Sequence, residues 1–165
     1  MITKRNTLKK IKLIGLLFFL SCHPSPRDCI NSYTVDLWDI NGSLAYNQSY
    51  HIHNDTLRIS FNDEVEKGKD FVLFEKIIDK NQKNKFCNYI SSFNIDTLKP
   101  EYVNQSAQDG DQKIIAISIG AKKKSVYISN VYMENIADLI KNMNELIDSS
   151  KLKITYAEYK ITHPM

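Results

Sequence analysis

The stretch QKIIAISI-GAKK-KSVYIS (Gln112–Ser129), followed by NVYMENIADLIKNMNELID (Asn130–Asp148), decides the fold. Ile115, Ile117 and Ile119 recur at the two-residue period of a strand and fall on one face. Gly120 to Lys123 supplies the turn of a hairpin, and Lys124–Ser129 is its return strand. Behind it the period changes. Ile136, Leu139, Ile140, Met143, Leu146 and Ile147 follow helical spacing, which predicts an amphipathic helix from about Tyr132 to Asp148 with Asn130 as N-cap. A sheet face and a helix stripe, each apolar on one side, must bury against one another.

The same order occurs upstream. Tyr33–Asp39 is rich in β-branched and aromatic residues and reads as a strand. Asn41-Gly42 is a turn signal, and a second strand is expected through Ser43–Tyr50. Leu57–Phe61 and Phe71–Ile78 are two more strands. Asp79 with Gln82 predicts a capping box opening a helix whose stripe is Phe86, Tyr89, Ile90 and Phe93, with Pro100 ending the segment. Glu101–Gln112 is polar and reads as a loop, and Lys151–Tyr159 as a final strand. The expected fold is α+β: one antiparallel sheet with two amphipathic helices packed on one face, in a pattern consistent with a degenerate strand–strand–helix repeat.

The chain has 165 residues, a length suited to one domain. Its net charge of +3 is misleading, because Lys4, Arg5, Lys9, Lys10 and Lys12 all precede residue 22. Without them 17 Lys+Arg face 19 Asp+Glu, a net charge of −2. Such a body argues against nucleic acid as a partner. After the cationic segment comes the apolar run Leu13–Leu20, too short to span a bilayer and suited to the apolar region of a secretory signal. Phe19-Leu20-Ser21-Cys22 resembles the lipobox of bacterial lipoproteins, with Ser before Cys as in the Bacteroidetes type. It departs from the commonest pattern at Phe19 and Ser21. The resemblance implies a signal peptide over 1–21, lipidation of Cys22, a short tether over 22–30 and a single domain over 31–165. The alternatives are a secreted chain cut near Ser21 and an uncleaved N-terminal anchor. A count of 19 Lys against 3 Arg, with 15 Asn, fits an AT-rich bacterial genome. Surface-exported lipoproteins of the Bacteroidetes type carry an acidic cluster just after the Cys, whereas here only Asp28 is acidic, so the resemblance implies an outer-membrane location facing the periplasm. The segments Asp109-Gly110, Ile128–Tyr132, Met143-Asn144 and Lys153–Tyr156 are similar to stretches of small Bacteroidetes lipoproteins, a group that implies fold and no activity.

With Cys22 lipidated in an oxidising compartment, Cys29 and Cys87 remain as a pair. A Cys29–Cys87 disulfide is the economical reading, stabilising by about 2–4 kcal/mol; two separate thiols are the alternative. The sequence holds no phosphate loop, no nucleophile elbow and no His-Glu-x-x-His. No catalytic residue and no cofactor is expected. His51 and His53, two apart in a strand, share a face and are the metal candidates, with Asp55 continuing the alternation; the alternative is two unrelated exposed imidazoles. Asp109-Gly110-Asp111 is similar to calcium loops, but Ala116 stands where the closing Glu belongs. Asp36 and Asp39 flank the sole Trp38, a combination seen at sugar sites. Lys122–Lys124 is a charged turn suited to solvent or anionic headgroups. These readings favour a non-catalytic binding module anchored to the membrane by its N-terminal lipid and serving an envelope protein partner. An immunity or inhibitor lipoprotein acting on a toxin or protease is one alternative, and an envelope hydrolase is another.

Overall fold

The computed structural model describes residues 32–40, 46–63, 69–107 and 110–156. The elements run β1 (Tyr33–Ile40), β2 (Tyr46–His53), β3 (Thr56–Asp63), β4 (Lys69–Ile77), α1 (Lys80–Ser92), β5 (Glu101–Val103), β6 (Gln112–Ile119), β7 (Lys122–Ser129) and α2 (Glu134–Asn144). Short 3₁₀ turns lie at Ile95–Thr97 and Ser150–Leu152. The seven strands form one sheet in the order β4-β3-β2-β1-β6-β7-β5. The chain is thus α+β with a sheet and two helices. The order hairpin-then-helix occurs twice, as β3–β4–α1 and β6–β7–α2.

β1 is the central strand, hydrogen-bonded to β2 on one side and β6 on the other. Its inward positions Tyr33, Val35 and Leu37 are buried, while Thr34, Asp36 and Trp38 alternate against them. The register carries the alternation across the sheet. Val35 lies between Ile52 and Ile117, and Leu37 between Tyr50 and Ile115. These residues and the stripes of both helices, among them Phe86, Ile90, Ile136, Leu139 and Met143, belong to one core cluster. Each such side chain, fully buried, contributes roughly 1.5–3 kcal/mol of transfer free energy. Lys85 Nζ lies 2.5 Å from the Glu145 carboxylate, and Gln82 Nε2 donates to the Glu145 carbonyl at 3.3 Å, joining the two helices.

Several local expectations are corrected. The sheet is not wholly antiparallel: β5, inside the segment expected to be a loop, pairs parallel to β7. Three residues carry no readable period, and the pairing partner lies 26 positions away. Asp79 does cap α1, accepting from the N–H groups of Asn81 and Gln82. Gln82 does not close the box; its Oε1 accepts instead from Lys76 Nζ at 3.3 Å. A 3₁₀ turn intervenes before Pro100. Asn130 is not the N-cap of α2. It takes a left-handed conformation (φ +55°), and the cap position is Met133, without a side-chain cap. The Tyr156 hydroxyl takes over, accepting from the Met133 N–H at 3.0 Å and donating to the Val131 carbonyl at 2.8 Å. Nor do residues 151–156 form the expected final strand. The Asn144 amide replaces a ladder partner: it donates to the Ile154 carbonyl at 2.9 Å and accepts from the Ile154 N–H at 2.8 Å. The β6–β7 turn is only Gly120-Ala121, so Lys122 to Lys124 belong to β7, where Lys122 pairs with Asp96. The Asn41-Gly42 turn lies outside the described residues.

One inward position of β6 is not apolar. Lys113 is 1% exposed, and its Nζ donates to Asp39 at 2.8 Å and to Asp111 at 2.5 Å. Its ammonium also lies 5.7 Å from the centroid of the Tyr156 ring. Burial raises the Asp39 carboxyl above its usual range, although the Lys113 charge and hydrogen bond oppose this. Removing the cation strands two carboxylates, at a cost of about 3–5 kcal/mol. Lys113→Met is therefore expected to lower the urea midpoint severely. Adding Asp39→Asn and Asp111→Asn to it should restore much of the loss, because neutral amides need no counter-charge.

Candidate functional site

Asp36 sits directly opposite His51 in the β1–β2 register, and His53 follows two residues on, opposite Thr34. All three project from the sheet face opposite Val35, Leu37 and Ile52. Asp36 Oδ1 accepts from His51 Nδ1 at 2.8 Å and from His53 Nε2 at 2.9 Å. One ligand atom from each residue lies within 4.8 Å of the other two. The edge of the Trp38 ring system meets the His51 ring at a centroid distance of 5.9 Å, and the two imidazoles stand nearly perpendicular at 6.3 Å. The side chains of Asp36, His51 and His53 are 21%, 29% and 55% exposed, so the cluster is shielded beneath and open above.

Partial burial pushes the Asp36 carboxyl upward. The hydrogen bonds and charges of His51 and His53 together outweigh it, and the group ends below its usual value. Asp36 is therefore an anion at neutral pH. Each nitrogen facing it carries a hydrogen, which fixes the orientation of both rings.

Beside the cluster lies a concavity of about 480 Å³, lined by His51, His53, Thr56, Arg58, Ser60, Asp70 and Val72. It runs across β2, β3 and β4. A bulge interrupts the β3–β4 register there: Ile59 faces Phe74, but Ser60 faces Val72. Arg58 Nε donates to Glu75 at 2.7 Å, and Asn62 Nδ2 to Asp70 at 2.7 Å. The rim is β4, the edge strand on that side of the sheet among the described residues. Phe71, Val72, Leu73 and Ile77 are 44–71% exposed there. Asp70, Glu75 and Lys76 and the bulge against β3 supply, beside these apolar residues, the charge and irregularity that natural edges commonly carry.

The other expected site residues are dispersed. Asp55 does not join the histidines; it lies in the β2–β3 turn, its carboxylate 3.8 Å from Lys83 of α1. Asp36 and Asp39, three apart on a strand, face opposite ways and cannot converge on a sugar. Asp109 lies outside the described residues, while Asp111 is engaged by Lys113. Gly110 (φ +143°) leaves no room for a side chain: a Cβ there would stand 2.1 Å from the Asn130 Oδ1. Cys87 is buried and disulfide-bonded. Its expected partner Cys29, and the expected lipidation site Cys22, lie outside the described residues. What the residue pattern missed is Asp36 as the partner of both histidines, together with Arg58 and Asp70. A signal existed for Asp36, since it shares a face with any residue directly across the hairpin, but the register was needed to identify that residue.

A carboxyl lowered by folding contributes stability that is full above its unfolded value, near 3.9, and is lost as pH falls through the lower folded value. Asp36→Asn should therefore be less stable than the parent chain near about pH 5, and the gap should close as pH falls below about 4. Urea midpoints from about pH 5 downward measure it, and a gap that stays open at the acid end would contradict the assignment.

A scan against protein-family models and a search of curated proteins both find no match to this chain.

Proposed function

We propose that this chain is a lipid-anchored binding module of the bacterial cell envelope, on the outer membrane and facing the periplasm, which takes an extended segment of a protein partner along β4. In this reading both helices cover one face of the sheet. The other face, with the concavity and the β4 rim, is turned to the partner. The lipobox-like Phe19–Cys22 supports the anchor. No helix among the described residues is long and apolar enough to cross a membrane. One core cluster shared by inward strand positions and both helix stripes supports the one-sided packing. A Cys29–Cys87 bond would tie the start of the domain to α1.

The observation that carries the binding role is β4 itself. An edge strand offers one row of backbone N–H and C=O groups to a further strand, and side-chain pockets add specificity. Here the backbone row comes with exposed Phe71, Val72, Leu73 and Ile77 and with the concavity between His53 and Asp70. A toxin or protease as partner would make the chain an immunity or inhibitor protein, since strand addition serves inhibitors equally well. The hydrolase reading has the Asp36–His51 pair in its favour. It lacks a side-chain nucleophile: among the described residues no hydroxyl or thiol is hydrogen-bonded to either imidazole.

Two experiments bear on this. Cys22→Ala should abolish lipid labelling and leave the unprocessed precursor in the inner membrane; normal cleavage and release would refute the anchor. A photo-cross-linking residue at Val72 or Ile77 should give one discrete protein adduct in native envelopes. The same probe at Asn88 or Lys141, exposed on the helices, should give none. Phe71→Lys should remove the β4 adduct without a change in thermal stability beyond about 0.5 kcal/mol. Equal labelling from strand and helix positions would end the β4 assignment.

A further inference from the structure

We infer that Asp36, His51 and His53 form a binding site for a divalent transition-metal cation of the zinc class, with the open coordination positions facing the concavity. The inference rests on neither the lipid anchor nor the β4 partner.

The donor set selects the ion. Two imidazole nitrogens and one carboxylate oxygen suit Zn²⁺ and its first-row neighbours, whereas Mg²⁺ and Ca²⁺ call for oxygen cages. Three protein ligands with solvent on the remaining side is the pattern of an open site rather than a closed structural one. The geometry is nearly in place. His51 Nδ1 and His53 Nε2 already aim at Asp36 Oδ1, at 2.8 and 2.9 Å. Tetrahedral zinc with ligands at about 2.0–2.1 Å sets its ligand atoms about 3.3–3.4 Å apart. Each of these two nitrogen–oxygen pairs must therefore open by about half an ångström, while the two imidazole nitrogens lie within 4.8 Å of each other. Side-chain rotation supplies this, and the backbone stays in register.

The scaffold is stiff where stiffness matters. All three residues stand on two paired strands, with β1 held by β6 on its other side. Trp38 packs in a T-shaped arrangement with the His51 ring, 5.9 Å between centroids. Arg58 stands directly opposite His51 on β3, and its pairing with Glu75 at 2.7 Å offsets the positive charge beside the site. On binding, the hydrogen on His51 Nδ1 and that on His53 Nε2 must leave those nitrogens. Each goes to the other nitrogen of its ring or, from a doubly protonated ring, to solvent. Affinity is accordingly expected to fall in acid.

Co²⁺ alone is the probe, titrated into the full chain as purified from its native source, with Cys87 held in its disulfide. The parent chain should develop the visible absorption of low-coordinate Co²⁺ at one equivalent and lose it to added Zn²⁺. His51→Gln and His53→Gln, which keep polar side chains beside Asp36, should each abolish the band. Asp36→Asn, which keeps the shape but removes the charge, should weaken binding by about tenfold or more. Proton–nitrogen spectra of the Zn²⁺ form should place the shifts at His51 Nδ1 and His53 Nε2. No Co²⁺ band from the folded parent, a band that survives all three substitutions, or shifts on the opposite ring nitrogens would each overturn the site.

Discussion

The two-residue period of β1, held by hydrogen bonds on both sides, is the constraint from which the rest of the molecule follows. A strand paired on one edge can slip; one paired to β2 and β6 together cannot shift without breaking two ladders. Its inward residues Val35 and Leu37 are fully buried, so a slip of one position would also exchange them for Asp36 and Trp38. Both sides of that exchange are unfavourable. The apolar residues would lose their burial, and a carboxylate would enter the core without the histidines that hold it charged.

The same constraint creates the candidate site. Asp36 and His51 face each other because Val35 faces Ile52 and Leu37 faces Tyr50. The core contacts on one face of the sheet thus set the distances on the other. This is why a site on the outer face can be well positioned although no helix residue takes part in it. The arrangement also separates Asp36 from Asp39. The first lies on the outer face and is paired with imidazoles. The second is turned toward Lys113, in a triad with one cation and two carboxylates. Two acids three residues apart have opposite shifts because an odd spacing along a strand sends them to different faces.

The ends of the fold are secured by side chains acting in place of backbone. The Asn144 amide takes both hydrogen bonds of Ile154, and the Tyr156 hydroxyl accepts from the N–H of Met133, the N-cap of α2. These substitutions explain why residues 151–156 form no strand and why Asn130 is not the cap of α2. The local pattern was appropriate to each, but the donors and acceptors were met by residues from elsewhere in the chain. β5 is the converse case. Glu101–Val103 has no period of its own and becomes a strand only because β7 offers it a free edge.

From sequence alone one could read the class, the helix stripes, the Asp79 cap, most strands and the shared face of His51 and His53. All of these depend on periods of two or 3.6 residues and on local hydrogen bonds. The third member of the site was not readable in that way. A two-residue turn at Asn41-Gly42 would pair Ile40 with Ser43 and Asp36 with Asn47. The observed register pairs Ile40 with Asn47 and Asp36 with His51. Both registers put Asp36 on the histidine face, because they differ by an even number of residues. Alternation therefore determined the face, while the choice of neighbour was left to core packing across β1, β2 and β6. That choice is a tertiary one: the energy that selects it comes from Val35, Leu37, Tyr50 and Ile52 meeting the rest of the core, not from Asp36 or His51 themselves.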